Sequence, residues 1–97
     1  VIVITIGAQA SEGQSRLELL SDNADIMRST IKELDRVAPN AILIIISNPV
    51  DVLTRIAIKT STRPEKLIIG SGTVLDTARV RYQLGKLLNV SKQDANI

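Results

Sequence analysis

The sequence predicts an α/β fold built on a parallel sheet. Three short apolar runs rich in Ile, Val and Leu occupy residues 1–6, 41–46 and 66–69, and each is followed by a segment with helical periodicity. Continuous β-branched runs of this length are typical of strands buried on both faces of a parallel sheet. Strands alternating with helices indicate parallel strand–helix units, here repeated three times.

The first strand is predicted over residues 1–6 (VIVITI), and the glycine-containing stretch 7–15 is predicted to be a loop. From residue 16 or 17 to residue 37, apolar side chains recur at three- and four-residue spacing. That spacing predicts a long amphipathic helix with one buried stripe. Pro39 and the asparagine after it are expected to end the helix.

The second strand is predicted over residues 41–46 (AILIII), and Asn48–Pro49 ends it. Pro49 is expected at or near the first turn of a second helix over residues 50–60, because a proline at that position loses no helical hydrogen bond. Asn48 could also serve as the N-cap of that helix, since its short amide side chain can accept a hydrogen bond from the first turn.

The third strand is predicted over residues 66–69, followed by a Gly-Ser-Gly turn and a third helix over residues 73–89. The apolar positions of that helix are Val74, Leu75, Ala78, Tyr82, Leu84 and Leu88. Residues 90–97 have no clear pattern. Because the carboxyl ends of parallel strands meet at one edge, the polar segments that follow the three strands should face a single crevice. The whole segment is therefore expected to be Rossmann-like.

Composition excludes several classes of function. The chain has 97 residues, of which 44% are hydrophobic and 23% are charged, so it can bury the core of one domain at most. Its net charge of +2 is not concentrated in a basic stripe and Tyr82 is its one aromatic residue, which argues against a nucleic-acid partner. No apolar run is long enough for a membrane span.

The chain has neither cysteine nor histidine. The absence of cysteine excludes a disulfide scaffold, a thiolate nucleophile and a Cys-ligated zinc site, and it fits a cytoplasmic protein without a metal site. The absence of histidine means that any proton transfer near neutral pH needs another base or another piece of chain.

Four stretches of the sequence closely resemble the L-lactate dehydrogenase family, whose members are NAD-dependent L-2-hydroxy-acid dehydrogenases. They are residues 4–8 (ITIGA), 12–17 (EGQSRL), 47–54 (SNPVDVLT) and 69–79 (IGSGTVLDTAR), in the family's order and spacing. The resemblance implies hydride transfer between NADH and a small 2-keto acid such as pyruvate, in a cytoplasmic homotetramer. It also implies that the whole chain is the second half of a dinucleotide-binding domain, with residues from about 73 to 97 leading into a substrate domain.

The resemblance implies a cofactor site for NAD at two strand ends. Its residues are Gly7, Ala8, Ile46, Ser47 and Asn48. Without a side chain, Gly7 would let the backbone approach a diphosphate or ribose. Spacing alone favours an ordinary turn between strand and helix, and the resemblance reverses that preference. Asn48 is implied to contact both the substrate and the nicotinamide ribose.

The resemblance also implies a substrate site. Its residues are Ala10, Arg16, Asn48, Asp51 and Arg79. Arg79 would clamp the substrate carboxylate with two parallel hydrogen bonds, Arg16 would polarise the carbonyl, and Asp76 would orient a catalytic histidine. For Asp76 and Arg79, spacing alone favours the alternative of a surface ion pair between them. For Arg16 the alternative is a solvated arginine at a helix start, where the helix dipole slightly disfavours a cation.

Some positions depart from the family's pattern. Ala10 stands where a lactate enzyme usually has Gln and a malate enzyme has Arg, which disfavours a dicarboxylate and leaves room for a larger apolar side chain. Arg81 matches a residue that binds fructose 1,6-bisphosphate in some bacterial members, but Asn96 stands about where those members carry histidine, so a solvated or interface arginine is favoured.

The family's glycine-rich phosphate loop is expected before Val1 and its histidine beyond Ile97. The chain is therefore expected to be the middle of an enzyme and inactive alone. The rival hypothesis is a non-catalytic α/β module that binds or assembles through the helix over residues 16–37.

Overall fold

The computed structural model describes residues 1–91, and Asn96 lies outside them. Three parallel strands, β1 (Ile2–Ile4), β2 (Leu43–Ile45) and β3 (Ile68–Gly70), form one sheet in the order β1-β2-β3. The predicted α/β fold with a parallel sheet is confirmed.

Three α-helices connect and follow the strands: α1 (Arg16–Val37), α2 (Val50–Thr60) and α3 (Val74–Leu88). The first two have the predicted bounds. The prediction of a strand beginning at residue 66 is wrong, because Glu65–Leu67 forms a 3-10 turn in which the Leu67 N–H donates to the Pro64 carbonyl at 2.9 Å. No helix within the described part of the chain is long and apolar enough to cross a membrane.

The core lies on one face of the sheet, between the strands and the helices α1 and α2. Its buried members are Ile4, Met27, Ile31, Leu43, Ile45, Leu53, Ala57 and Ile68. Strand residues alternate between the two faces, so the pairing of Ile4 with Ile45 aligns buried side chains across neighbouring strands. Each fully buried large apolar side chain contributes about 1.5–3 kcal/mol.

The prediction that the strands are buried on both faces is wrong for the described residues. Val3 is 52% exposed and Ile69 is 49% exposed, and both align with Ile44 across the sheet on the face opposite the core. The cause is that the core helices α1 and α2 both pack on the other face. The apolar stripe predicted for α3 is also largely exposed, as at Val74 and Leu75.

A buried ion pair joins the end of α1 to the segment after α2. The Arg63 side chain is fully buried, and its Nε and Nη2 donate to Asp35 Oδ1 at 3.1 and 2.9 Å, while Nη1 donates to the Ala41 carbonyl at 2.6 Å. Burial acts to raise the pKa of the Asp35 carboxyl. Hydrogen bonds from Thr62, Ser61 and Arg63, with the charge of Arg63, outweigh burial and hold that pKa below its ordinary value of 3.8.

Gly70 at the end of β3 packs tightly against α2, and its replacement by alanine is expected to destabilise the protein. A Cβ at this position would lie 2.7 Å from Thr54 Oγ1 and 3.1 Å from Val50 Cγ1. Overpacking of this kind typically costs about 1–3 kcal/mol. Urea unfolding of the purified Gly70→Ala variant would measure the loss in the free energy of unfolding.

The control for that measurement is the double variant Gly70→Ala, Thr54→Ala. Removing the Thr54 hydroxyl takes away the atom nearest to the new Cβ. The double variant should therefore lose less stability than the two single changes added together. Strict additivity of the two losses would show that the contact with Thr54 is not the cause.

Candidate functional site

The carboxyl ends of β1 and β2 lie side by side. The N–H groups of Ile46 and Ser47 donate to the Ile4 carbonyl at 2.9 and 3.3 Å. The buried Ser47 hydroxyl donates to the carbonyl of Ile6, the residue just before the Gly7–Ala8 turn. The parallel pairing thus continues past the strands as side-chain and main-chain bonds that bring the two polar segments together.

A cleft of about 390 Å³ opens at these strand ends, and we call it the strand-end cleft. It is lined by Thr5, Ile6, Gly7, Ala8, Leu19, Asn23, Ile46, Ser47 and Asn48. All five residues predicted for the cofactor site line this one cleft. Gly7 is exposed there, whereas the hydroxyl of Ser47 is already engaged with the Ile6 carbonyl.

A second cleft, of about 440 Å³, lies beside the first and at the start of α1; we call it the helix cleft. It is lined by Arg16, Leu17, Leu19, Leu20, Asn23, Asn48 and Pro49. Two predicted substrate residues, Arg16 and Asn48, therefore share one cleft. Asn48 lines both clefts, so one amide side chain can reach two ligands that lie next to each other.

The interpretation of Asn48 as the N-cap of α2 is wrong. The N-cap is Pro49, whose carbonyl accepts from the Leu53 N–H at 3.0 Å, and α2 has no side-chain cap. The peptide bond between Asn48 and Pro49 is cis. Among residues 1–91, the Asn48 side chain has no hydrogen-bond partner, so its carbonyl oxygen and its NH₂ group can both engage a ligand.

Arg16 is the first residue of α1. Ser15 caps the helix, since its hydroxyl accepts from the Glu18 N–H at 3.1 Å. The loop before the cap is tied to α1 through Gln14, which accepts from the Ser11 N–H at 2.9 Å and donates to Asp22 at 2.7 Å. Arg16 is thus held at the rim of the helix cleft by a defined turn.

The other predicted substrate residues lie outside the two clefts. Ala10 is exposed in the loop before α1. Asp51 lines a depression between α2 and the Gly70–Gly72 turn, and Arg79 lines a shallow depression on α3. A single crevice was expected at all three strand ends. The two clefts are instead formed by the segments that follow β1 and β2, and the segment that follows β3 does not line them.

Asp76 and Arg79 both lie on exposed positions of α3, Asp76 in its first turn. The alternative interpretation, a surface ion pair between them, is wrong for this structure, because their side chains are not paired. The same three-residue spacing does form ion pairs in α1, at Asp25–Arg28 (3.0 Å) and at Glu33–Arg36. The Asp76 carboxylate and the Arg79 guanidinium therefore do not neutralise each other.

Sequence reasoning missed Asn23. This residue of α1 is 8% exposed, and its Oδ1 accepts from the Ala8 N–H at 2.6 Å. The signal was present in the sequence: Asn23 stands three residues after Leu20 and four before Met27, on the stripe that the helical periodicity assigns to the core. A polar side chain at such a position needs a buried partner.

The strand-end cleft suits part of a dinucleotide. Gly7 presents backbone without a side chain, and the unbonded Asn48 amide offers a donor and an acceptor, the two functions that a ribose hydroxyl requires. Within residues 1–91, no group of three or more His, Cys, Asp or Glu side chains is placed to hold a metal ion.

Comparisons with known proteins also indicate a dinucleotide-binding domain. The sequence profile of the lactate/malate dehydrogenase NAD binding domain matches residues 1–70. An L-lactate dehydrogenase of Gloeobacter violaceus is 52% identical over 90 residues, which are 93% of this chain and 27% of that protein. The L-lactate dehydrogenase A chain of Danio rerio is 47% identical over 90 residues, with the same coverage of 93% and 27%.

Solved structures give the same result. A lactate dehydrogenase from a deep-sea metagenome library, MGS-M5, superposes with a TM-score of 0.90 at 40% identity, covering 96% of this chain and 30% of that one. The malate dehydrogenase from Picrophilus torridus has a TM-score of 0.90 at 34% identity, covering 96% and 29%. The chain thus spans less than a third of the length of the relatives it matches.

Proposed function

The chain belongs to the lactate/malate dehydrogenase family, and on that premise we propose that it forms the central part of an NAD-dependent L-2-hydroxy-acid dehydrogenase. In this parent enzyme it is the second half of the dinucleotide-binding domain, and residues from about 73 lead into the substrate domain. One observation carries the proposal: the strand-end cleft and the helix cleft adjoin, and Asn48 lines both.

The proposed cofactor site is the strand-end cleft. The Gly7–Ala8 turn would receive the nucleotide through bare backbone, and the Asn48 amide would bond the nicotinamide ribose. When bound, NADH supplies the hydride. The chain's own contribution is to hold the nucleotide beside the helix cleft, where Arg16 lies. Placing two reactants in contact in this way lowers the entropic part of the barrier.

The proposed substrate is a 2-keto acid. Arg79 grips its carboxylate, and Arg16 and Asn48 donate hydrogen bonds to the carbonyl oxygen, where negative charge develops during reduction. Asp76 orients the proton donor, a histidine that this chain does not contain. The Asp76 and Arg79 side chains, which are not paired with each other, both remain available for these roles.

The proposed substrate carries an apolar side chain rather than a second carboxylate. Ala10 brings no charge to pair with a carboxylate, and the helix cleft beside Arg16 has the apolar side chains of Leu17 and Leu20 in its wall. Pyruvate is the simplest acid that meets these requirements, and 2-ketoisocaproate is a bulkier one. The parent enzyme is proposed to be a cytoplasmic homo-oligomer.

Ala10→Arg in the parent enzyme is expected to shift preference toward a dicarboxylate. A guanidinium at this position would bond the second carboxylate of oxaloacetate, and one hydrogen bond to a charged group contributes about 1.5–3 kcal/mol. The ratio of kcat/KM for oxaloacetate to that for pyruvate should therefore rise about tenfold or more. The neutral variant Ala10→Gln is the control and should leave oxaloacetate a poor substrate; equal ratios in the two variants would refute a role for residue 10.

The direct test follows NADH oxidation by absorbance, with pyruvate, 2-ketoisocaproate and oxaloacetate as substrates. The parent enzyme should turn over the first or second faster than the third, and the isolated chain should not turn over. Failure of the parent enzyme to bind NADH at all would favour the rival hypothesis of a non-catalytic α/β module.

A further inference from the structure

We propose that Asn23 is a positioning residue of the cofactor site, which holds the Gly7–Ala8 turn in the shape that receives the nucleotide. The inference rests on the proposed function, because it takes this turn as part of the dinucleotide site. Asn23 acts through the turn, because its Oδ1 accepts a hydrogen bond from the Ala8 N–H.

The hydrogen bond at Ala8 determines how the Asn23 amide is oriented. A backbone N–H can only donate, so the side-chain oxygen must face it, at 2.6 Å. The two residues are 15 positions apart in sequence, so this bond fixes the turn to the body of α1. Gly7 packs on the same side chain, since a Cβ there would lie 3.6 Å from Asn23 Oδ1.

The turn is held from its other side by Ser47. The Ser47 hydroxyl donates to the Ile6 carbonyl, two residues before the N–H that Asn23 accepts. Residues 6–8 are therefore held between two buried polar side chains, one from α1 and one from the end of β2. A segment constrained at both ends loses little freedom when a ligand binds, and such preorganisation increases affinity.

The choice of residue supports the same conclusion. Asn23 lies on the buried stripe of α1 beside Ala24. An apolar side chain at this position would pack in the core without the free-energy cost of burying a polar group. A buried amide is destabilising unless it is hydrogen-bonded. The bond to Ala8 offsets that cost, and Asn23 lines both proposed ligand clefts. An amide at this position thus contributes more to the shape of the turn than to the core.

The test is Asn23→Leu in the parent enzyme, which keeps the branching of the side chain at Cγ and removes the acceptor. The Kd for NADH, measured by fluorescence titration, is expected to rise about five- to tenfold, the effect of one lost hydrogen bond. At saturating NADH, the KM for pyruvate should change less than the Kd for NADH, because the hydrogen bond that is lost holds the Gly7–Ala8 turn. Should the leucine variant not fold, Asn23→Ser, with a smaller buried polar group, is measured in the same way.

Met27→Ala is the matched control. Met27 is fully buried one helical turn further along the same face of α1, and its truncation should lower stability by about 2–5 kcal/mol. Its Kd for NADH should stay within about twofold of wild type. Equal weakening of NADH binding in both variants would mean that general destabilisation is the cause and would overturn the inference.

Two further outcomes are distinguishable. An Asn23→Leu enzyme that binds NADH as tightly as wild type overturns the positioning role and leaves the proposed dehydrogenase intact. A wild-type enzyme that does not bind NADH contradicts the proposed function itself, and the inference about Asn23 fails with it.

Discussion

Replacing Arg79 with lysine is expected to lower kcat/KM for the 2-keto acid by about ten- to a hundredfold, and replacing it with alanine by about a hundred- to ten-thousandfold. The guanidinium makes two parallel hydrogen bonds to a carboxylate, each worth about 1.5–3 kcal/mol, whereas lysine is a point charge without that fork. Because the Arg79 side chain is exposed on α3 and not paired with Asp76, its loss should not disturb the fold.

Oxamate, an analogue of pyruvate, separates binding from chemistry in this prediction. Arg79→Ala should abolish measurable oxamate binding to the enzyme–NADH complex and leave the Kd for NADH within about twofold of wild type. Arg28→Ala, which removes another exposed helical arginine, is the control and should change neither value. Wild-type affinity of the Arg79→Ala enzyme for oxamate would show that another group holds the carboxylate.

Arg63→Ala is expected to lower the free energy of unfolding by about 3–5 kcal/mol, because it leaves the largely buried Asp35 carboxylate without its cation. It also removes the donor to the Ala41 carbonyl at the entry to β2. Urea unfolding measures the loss. The control is again Arg28→Ala: the Asp25–Arg28 pair is exposed, so its removal should cost less than about 1 kcal/mol. Equal losses would contradict a special role for the buried pair.

The effect of the Asp35–Arg63 pair should depend on pH in one direction. The pKa of Asp35 is lower in the folded protein than its ordinary value of 3.8, so the carboxylate stabilises the fold fully above that value. Its contribution is lost as the pH falls below about 3.8 toward the lowered pKa. The difference in unfolding free energy between wild type and Arg63→Ala should therefore shrink in acid; a constant difference would argue against the ion pair.

The helices α1 and α2 could be predicted to within about one residue, because their signals are local. The stripe of apolar side chains in α1 repeats with the helical period, and Pro49 marks the start of α2. The start of β3 was misplaced because Pro64 closes a 3-10 turn, which a short apolar run does not reveal. Exposure of Val3 and Ile69 was missed for another reason: a β-branched run indicates a strand but does not say whether both faces are covered.

The candidate site could be predicted in part. Gly7, Ala8 and Asn48 follow strand ends, and the parallel topology alone brings their segments to one edge of the sheet. The roles assigned to Arg16, Asp76 and Arg79 came from resemblance to a family, and for Asp76 and Arg79 spacing alone favoured a surface ion pair. Asn23 was missed because helical periodicity predicts which face of a helix a residue lies on, but not which group of another segment it contacts.

By itself the sequence determined the order of strands and helices, the parallel sheet, and the polar residues that follow each strand, because these depend on neighbours a few positions away. The tertiary structure decided which side chains contact each other across the chain. Asn23 bonds to Ala8 across 15 positions and Arg63 to Asp35 across 28. Such contacts depend on how helices pack on the sheet, and packing is a property of the whole core that no local pattern contains.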